Sequence, residues 1–421
     1  MRHDRGIAAR SHSRSRAHSR AHSRGVAVAA LALALGVTGC ADGSGTGTVA
    51  SSTGGTPASG STVAVGTRGP AISVTMTPTP SPTTPTASAG VALQAGNPAG
   101  GAAVPADGRA VDASHPTRVI GTGSPASCTS AAVVAAVAKG GVITFSCGLN
   151  PIVITLTQTA KVHNLAAADV VLDGGGKVTL SGGGKRRILY QNTCDEALGW
   201  LTSHCDDQDR PRLTLQNLTF ADGNSTGETT EGGGGGAVFV RGGRLRIVNA
   251  LFVRNRCDST GPDLGGAAVR ALSQAGGQPV YVVSSTFGGS SGQGGKCSNG
   301  GALSSIGVSW VILNSRFSDN YAIGRGANPA RGGTPGGGSG GAIYADGNTF
   351  TIRIAGTVIE DNHATEGGGA IFFVSNDLTG SLTLESSRLR RNPNAGFQTA
   401  GFPGIFYLGT GRPRVTGSTL S

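Results

Sequence analysis

The sequence contains few of the residues that build a thick hydrophobic core. Only 5% of its 421 residues are aromatic and 14% are charged, whereas 72 residues are glycine. So few bulky side chains do not fill the interior of a large globular enzyme, but they suffice for a narrow apolar column. We therefore expect short, stacked elements with a thin core.

Several motifs that define common functional sites are also missing. No Cys-x-x-Cys pair occurs and the histidines are scattered, so zinc is the weaker interpretation of the cysteines, and we expect no resident metal or cofactor. No stripe of lysines interleaved with aromatic residues occurs, so we expect no nucleic-acid partner. A match to the serine-nucleophile motif at residues 288–292 reflects the glycine content, because the required strand, turn and helix are absent.

The sequence instead contains a repeat that opens with Gly-Gly-Ala. The openings begin at Gly235, Gly265, Gly300, Gly340 and Gly368, which are 30, 35, 40 and 28 residues apart. Each unit closes with an aromatic or aliphatic residue that is followed by asparagine three positions later. The closing pairs are Phe252 with Asn255, Phe317 with Asn320, Ile359 with Asn362 and Leu389 with Asn392, and Phe287 closes a weaker copy.

The apolar runs inside each unit have the character of strands. Runs such as AVFV, WVIL and FTIRIA are short, β-branched or aromatic, and bounded by glycine, asparagine or serine. Because one such unit cannot bury its own apolar face, successive units must stack. We predict an all-β fold, a parallel β-helix solenoid, in which equivalent residues stack about 4.8 Å apart.

Two sets of polar residues recur at fixed places in the units. Asn217, Asn249, Ser284, Asn314 and Ser386 each lie three residues before a closing residue. Stacked at a bend, their side chains would form hydrogen bonds along the row. The asparagine that ends each unit also suits a bend that requires positive φ.

Residues 1–39 have the layout of a lipoprotein signal peptide. Seven arginines precede the apolar run at residues 26–37, which is too short to span a bilayer stably. The next residues, Thr38-Gly39-Cys40 after Val37, resemble the lipobox of bacterial lipoproteins. This resemblance implies cleavage before Cys40, lipid attachment to its thiol, and anchoring to the bacterial cell membrane at the cell surface. A conventional secretory signal with an unrelated cysteine is the alternative.

The remaining chain divides into a linker and a folded domain. Residues 40–116 are rich in Gly, Ser, Thr, Ala and Pro without apolar periodicity, which predicts a disordered linker. The domain at residues 117–421 opens with a short helix, which is capped within Ser127-Cys128-Thr129-Ser130 and ended by Gly140-Gly141. This helix would cap the open end of the solenoid, where an unpaired strand edge invites aggregation.

The cysteine count suits an oxidising exterior. If Cys40 carries lipid, six cysteines remain, and sequence alone permits fifteen pairings of six. Pairing of neighbours along the chain suits a solenoid whose consecutive units touch, and it gives Cys128–Cys147, Cys194–Cys205 and Cys257–Cys297. The second pair would close an insert at residues 192–212, expected to project as a binding loop or as a solvated decoration.

These motifs together resemble a known group of proteins. The capping helix, GGVITFSC, VVLDGGGKVTLSG and LTLQNLTFADGN, followed by the repeats, are similar to secreted bacterial right-handed parallel β-helix proteins with the pectate-lyase-like fold. The Gly-Gly-Ala and Phe-x-x-Asn units in particular resemble those of the polymorphic outer-membrane protein family. That resemblance implies a surface-exposed adhesin. No membrane barrel follows Asn392 as it does in that family, so lipid on Cys40 would have to serve as the anchor.

The closing triplets place pairs of residues on the outside, and several pairs are charged. Stacking would gather three acidic and three basic side chains: Asp319, Glu360, Asp361, Arg316, Arg388 and Arg391. A polysaccharide lyase that acts on uronates needs acidic residues for Ca²⁺ and a base such as arginine. A ladder of opposite charges that holds the units in register needs the same residues. We favour the ladder, because no Arg-x-Pro-x-x-Arg motif and no paired Asp or His-Gly motif occurs.

We therefore predict a surface-anchored lipoprotein whose β-helix acts as a non-catalytic adhesin or as a module that binds a glycan or the cell wall. The alternative is a Ca²⁺-dependent polysaccharide lyase that acts on a uronate-containing polymer. A purely structural spacer is a third interpretation.

Overall fold

A computed structural model of the chain describes residues 95–199, 204–229 and 233–421. The predicted signal peptide, Cys40 and most of the predicted linker lie outside these residues, as does Trp200 in the insert at residues 192–212. Within the described residues the fold is predominantly β with one α-helix, and its strands form three sheets with parallel ladders. The predicted all-β class and the parallel strand pairing are confirmed.

The first sheet, called the large sheet, contains seventeen strands. They are Arg118–Ile120, Gly141–Phe145, Ile152–Thr155, Asp169–Ser181, Arg212–Ala221, Arg244–Val248, Leu251–Val253, Val280–Val283, Thr286–Gly288, Trp310–Leu313, Arg316–Ser318, Thr351–Ala355, Val358–Glu360, Ser381–Glu385, Arg388–Arg390, Arg414–Thr416 and Thr419–Leu420. From residue 244 onward, each unit supplies two of these strands, separated by a short bend.

The second sheet contains eight strands and the third contains three. The second sheet consists of Ala160–Lys161, Leu189–Asn192, Val238–Arg241, Val269–Leu272, Leu303–Ile306, Ile343–Asp346, Ile371–Val374 and Ile405–Leu408. The third consists of Lys296–Cys297, Tyr321–Ala322 and His363–Ala364. Strands of the second sheet follow the glycine-rich openings, because alternating apolar residues begin there.

The closing residues of the repeat form the centre of the core. The rings of Phe220, Phe252, Phe287 and Phe317 stack in one row with centroid separations of 4.9, 4.7 and 4.7 Å. Strand register continues the row with aliphatic residues, since Ile359 lies beside Phe317. Burial of this row accounts for the apolar residue that closes every unit, because each ring covers the next.

The predicted bend residues do lie at bends. Asn217, Asn249, Ser284, Asn314 and Ser386 all have positive φ, from 44° to 51°. The predicted row of hydrogen bonds is incomplete, however. Asn249 donates to Asn217 at 2.8 Å, whereas Asn314 exchanges hydrogen bonds of 2.8 Å with the backbone of Ala102. The hydroxyl groups one position later do link neighbouring units, since Ser315 accepts from the Ser285 backbone at 3.2 Å and Ser387 accepts from the Thr357 backbone at 3.1 Å.

The prediction that the closing asparagines adopt positive φ is wrong. Positive φ falls on the residue before each of them, at 62° for Asp319 and 56° for Asp361. The asparagines themselves are buried and linked: Asn320 donates to Asn362 at 2.8 Å, and Asn362 donates to Asn392 at 2.9 Å. Their amides suit this row because each has both a donor and an acceptor.

The predicted helix is present at Ser130–Lys139. Thr129 accepts a hydrogen bond from the Ala132 backbone, and Gly140 ends the helix with a φ of 64°. The helix packs against the first strands of the large and second sheets through Val133 and Val137. N-cap preference for threonine and the freedom of glycine at positive φ explain both ends.

The structure joins the three cysteine pairs that the sequence favoured. Cα atoms are 5.7 Å apart in Cys128–Cys147, 5.0 Å in Cys194–Cys205 and 4.8 Å in Cys257–Cys297. The last pair links two successive units. Among the described residues, no helix is long and apolar enough to cross a membrane.

Residues 95–116, which we call the strap, correct the predicted disordered linker at its C-terminal end. They lie along the large sheet: Ala95 donates to Asn249 at 3.2 Å, and Val111 exchanges hydrogen bonds of 2.8 Å with Gln216. Val104 packs on an apolar cluster formed by Val248, Val283, Leu313 and Ala355. Composition alone does not indicate that this segment is ordered, because its small residues suit both disorder and close packing on a sheet.

Candidate functional site: a charged row beside the large sheet

The charged row lies where the units leave the large sheet. It consists of Asp222, Arg254, Asp319, Asp361 and Arg391, which have positive φ and precede the closing asparagine or its equivalent, together with their neighbour Glu360. Stacking places opposite charges next to each other at two places in the row, whereas Asp319 and Asp361 are neighbours of like charge. Arg254 binds Asp222 at 2.8 and 2.9 Å, and Arg391 binds Asp361 at 2.6 and 2.7 Å.

Glu360 is the buried member of this set. Its side chain is 2% exposed and accepts from Arg316 through one oxygen and from Arg390, at 2.6 Å, through the other. Burial alone would raise the pKa of the Glu360 carboxyl, but the two guanidinium groups outweigh burial and hold its pKa below the usual value. The carboxylate is therefore ionised and fully engaged at neutral pH.

Asp361 is more exposed but similarly engaged. The hydrogen bonds from Arg391 lower the pKa of the Asp361 carboxyl. The same pair raises the pKa of the Arg391 guanidinium. Charges of opposite sign are thus paired between neighbouring units at Asp222–Arg254 and at Asp361–Arg391, as expected of a ladder that holds the strands in register.

Asp319 has a different environment, in spite of its equivalent position. It is buried and accepts hydrogen bonds from the Tyr321 hydroxyl at 2.9 Å and from the Gly294 backbone at 3.2 Å. Arginines neutralise Glu360 and Asp361, whereas Asp319 has no guanidinium partner among the described residues.

Five of the six predicted residues are brought close together and one is displaced. Arg388 lies in the same register row as Arg316, but Val358 stands between them and the Arg388 side chain is exposed. Asp319, Glu360, Asp361 and Arg316 line one open cavity of about 340 Å³. Arg391 reaches this group through its contacts with Asp361 and, at 3.6 Å, with Glu360.

The sequence reasoning missed a second row that borders the same cavity. Each residue that follows a closing asparagine, or its equivalent, stacks on the next: Arg256, Lys296, Tyr321 and His363. The Lys296 ammonium lies 5.2 Å from the Tyr321 ring centroid, and the Tyr321 and His363 rings stack at 4.8 Å. We call it the basic–aromatic row. The signal was present, since a basic or aromatic residue follows Asn255, Asn320 and Asn362.

Neither row offers a ready-made metal site. The carboxylates of Glu360 and Asp361 are occupied by guanidinium groups, and a cation would have to displace them. Elsewhere in the described residues, Cys194, Cys205 and Asp206 come together, but the two cysteines form a disulfide and so offer no thiolate ligand.

The insert at residues 192–212 does not project freely in its described parts. Thr193 donates to the Cys205 carbonyl at 2.6 Å, and Asp206 binds Arg241 of the second sheet at 2.7 Å. Asp207 accepts from the Gly276 backbone at 2.6 Å. The prediction of a projecting loop is wrong for these residues, because its acidic side chains meet donors on the second sheet and the adjoining turn.

No protein family, curated protein or solved structure matches the chain. The resemblance to pectate-lyase-like β-helices and to the polymorphic outer-membrane protein repeats therefore stays a prediction.

Proposed function

We propose that the protein is a surface-anchored, non-catalytic adhesin that binds a glycan or a cell-wall polysaccharide. The part of the chain that the structure describes would be a right-handed parallel β-helix, in which successive units wind through the large and second sheets and, in three units, through the third. Parallel pairing of equivalent strands supports this winding. The right hand follows from the strong preference of parallel crossover connections.

The observation that carries the non-catalytic proposal is the pairing of the acidic residues. Glu360 and Asp361 are bound by Arg316, Arg390 and Arg391, so two of the three carboxylates that line the cavity are engaged, and Asp319 alone is left as a ligand for Ca²⁺. A lyase would need such ligands to neutralise the substrate carboxylate. A ladder of paired charges instead presents fixed donors and acceptors to a ligand without requiring a cofactor.

The two rows together suit the binding of an extended polar chain. Their residues recur once per unit, and the spacing of neighbouring parallel strands is about 4.8 Å. Partly exposed Tyr321 and His363 lie beside the carboxylates and guanidinium groups of the charged row. Together these acceptors and donors can form hydrogen bonds with the many hydroxyl groups of a polysaccharide.

Glycan binding can be tested with the full chain and an array of neutral and acidic polysaccharides. We expect affinity for at least one polymer, and the double replacement Asp361→Asn and Arg391→Gln should weaken it about tenfold or more, through loss of charge-assisted hydrogen bonds. The control is Glu385→Gln, whose carboxylate binds Arg353 outside the cavity. Equal affinity in all three proteins would reject the charged row as the binding surface.

The membrane anchor is a separate part of the proposal. Lipid on Cys40 would hold the protein at the cell surface, with the residues that follow as a tether. Replacement of Cys40 by serine should move the protein from the membrane fraction to the medium. Retention of the Cys40→Ser protein in the membrane fraction would reject lipid anchoring at this residue.

The second candidate function is a Ca²⁺-dependent polysaccharide lyase. It is favoured by the cavity of about 340 Å³, whose lining includes Arg316, a candidate base, and Asp319, which has no guanidinium partner among the described residues. Incubation of the full chain with uronate polymers, with and without Ca²⁺, decides between the two. A Ca²⁺-dependent rise in the ultraviolet absorbance of unsaturated uronates would establish the lyase and reject the adhesin.

A further inference from the structure

The second sheet contains a buried arginine without an ionic partner. Arg270 lies between Phe239 and Ser304 in the outward row of this sheet and is only 2% exposed. Its Nη1 donates to Ser304 at 3.0 Å, whereas Nε has no hydrogen-bond partner, and no carboxylate in the described part of the chain lies within ion-pair distance. Burial lowers the pKa of Arg270 to about 10.

An unpaired buried cation destabilises the fold unless something else satisfies it. Arg270 is one of the residues that line a cavity of about 500 Å³, which we call the Arg270 cavity. Leu272 and Ile306, adjacent in register, give the cavity an apolar surface. Asp263 and Asp346 supply carboxylates at the same cavity.

The two carboxylates are held in place by amides. Asn328 donates to Asp263 at 2.6 Å and to Asp346 at 3.0 Å, and thus bridges them. Asn376 donates to the other oxygen of Asp346 at 3.1 Å, and the Tyr344 hydroxyl lies 3.2 Å from Asp346. These contacts fix the acceptors before any ligand arrives, which lowers the entropic cost of binding.

The charges around the Arg270 cavity favour a neutral ligand. Arg241 at its edge is bound to Asp206 at 2.7 Å and so contributes little free positive charge. The single cation Arg270 therefore faces the two carboxylates Asp263 and Asp346. Burial raises the pKa of the Asp346 carboxyl, which reflects the cost of a negative charge there. An anionic ligand would meet like charges, whereas a neutral one avoids them.

We propose that the Arg270 cavity binds an N-acetylated amino sugar. Its acetamido group has one acceptor, one donor and one methyl group, and the cavity offers the complement of each. The carbonyl oxygen accepts from Arg270, the N–H donates to an aspartate, and the methyl contacts Leu272 and Ile306. The remaining sugar hydroxyls reach Asp346 and Asn376. This site lies on the second sheet and does not depend on the function proposed for the charged row.

The first test compares sugars that differ in the acetamido group. Saturation-transfer NMR and titration calorimetry of the full chain would use di-N-acetylchitobiose and cellobiose, which replaces each acetamido group with a hydroxyl. We expect binding of the acetylated sugar and about tenfold weaker binding of cellobiose, because Arg270 loses its acceptor. Equal affinity for both, or no binding of the acetylated sugar, would overturn the proposal.

The second test uses variants of the cavity. Asp263 is exposed, so Asp263→Ala should fold normally and weaken binding of di-N-acetylchitobiose about tenfold. Arg270→Met should abolish the selectivity against cellobiose, provided that its thermal unfolding shows an intact fold. The matched control is Asp258→Ala, which removes an aspartate of the same segment whose carboxylate accepts from the Gly227 backbone outside the cavity.

The outcome also separates this site from the charged row. If Asp361→Asn abolished binding of the acetylated sugar while Asp263→Ala did not, the sugar would occupy the charged row. That result would reject the Arg270 cavity and leave the proposed glycan-binding function in place. Loss of binding in Asp263→Ala alone would support the cavity, whatever the polysaccharide array shows.

Discussion

Asn320 donates its side-chain amide to the side-chain oxygen of Asn362 at 2.8 Å, although 42 positions separate them. Asn362 in turn donates to Asn392 at 2.9 Å and to the Phe317 carbonyl at 3.1 Å. These bonds lie in a buried row beside the apolar core. Each amide thus satisfies groups of two neighbouring units at once.

We expect replacement of Asn362, the central asparagine of this row, to destabilise the protein. Asn362→Ala would leave the Asn320 amide and the Phe317 carbonyl buried without this partner, and should lower the free energy of unfolding by about 3 kcal/mol. Equilibrium urea denaturation measures this. Asn394→Ala is the control, since the Asn394 side chain donates to exposed Gln398 and has no other hydrogen bond within the described residues. Similar stability of the two variants would show that the row is dispensable.

The pairing of Glu360 predicts a dependence of stability on pH. Its folded-state pKa lies below the usual value of 4.5, so its contribution is present above that value and is lost as the pH falls through the lowered pKa. Glu360→Gln should destabilise the protein by about 1–2 kcal/mol at neutral pH, because both arginine partners are partly solvated. Below the lowered pKa, the difference from the native chain should disappear.

Glu385→Gln provides the comparison for Glu360. Glu385 binds Arg353 at 2.5 Å, but its side chain is 37% exposed against 2% for Glu360. Solvent screens such a pair, so its loss should cost less than about 1 kcal/mol. Urea denaturation at several pH values would measure both variants, and an equal loss in both would contradict the role assigned to burial.

The strap should contribute to stability. A chain that begins at Thr117 would lose the contact of Val104 with the Val248 and Val283 cluster and the Val111–Gln216 hydrogen bonds. Compared with a chain that begins at Ala95, it should unfold with a free energy lower by about 3 kcal/mol. Urea denaturation of both chains gives the difference. Indistinguishable midpoints would mean that the strap contacts are energetically neutral.

A point substitution can test the strap without truncation. Val104→Asp should detach the segment, because a charge would face the apolar cluster. Val119→Asp is the control, since Val119 is 53% exposed. Limited proteolysis should cleave only the first variant within the strap, and protection of both would show that Val104 does not hold it.

The three disulfides should contribute unequally. Cys257–Cys297 spans 40 residues and Cys194–Cys205 spans 11. Under the chain-entropy model, loss of the longer bridge costs about 1 kcal/mol more than loss of the shorter one. Thermal unfolding of the two double Cys→Ala variants measures this. A larger loss for the 11-residue bridge would point to strain or enthalpy instead.

The features that repeat in every unit could be predicted from the sequence. The closing residues Phe252, Phe287 and Phe317 were recognisable because a solenoid core needs one apolar residue per unit at the same place. The bends at Asn249 and Asn314 were predictable from residue types that favour bends, whereas the positive φ of these two residues was predicted for the closing asparagines instead. Neighbouring cysteines could be paired because successive units touch.

The Arg270 cavity was missed because the repeat shifts by one residue. Counting from the Gly-Gly-Ala openings aligns Val269 with Phe239, but the structure pairs Val269 with Val238 and Arg270 with Phe239. The extra residue, Ala267 or Ala268, sits in the turn. A shift of one position in a strand exchanges its inward and outward faces. Only the strand register shows that Arg270 lies in the same row as Phe239 and Tyr344, where other units have aromatic residues.

The strap and the insert were misjudged for a shared reason. Their contacts are made with single polar side chains of distant units, such as Gln216 for the strap and Arg241 for the insert. Such contacts leave no periodic pattern in the chain. Composition therefore indicated disorder or a free loop where tertiary hydrogen bonds impose order.

The strap also determines where a mechanical load would enter the molecule. Ala95 and Gly96, the first residues of the strap, donate to Asn249, in the bend after Arg244–Val248, and to Thr286 of the large sheet, and not to its first strand. Tension along the chain that precedes Ala95 would therefore be borne first by the Ala95 and Gly96 hydrogen bonds. Such tension would load the side-chain contacts of the strap before the parallel strand ladders of the stacked units.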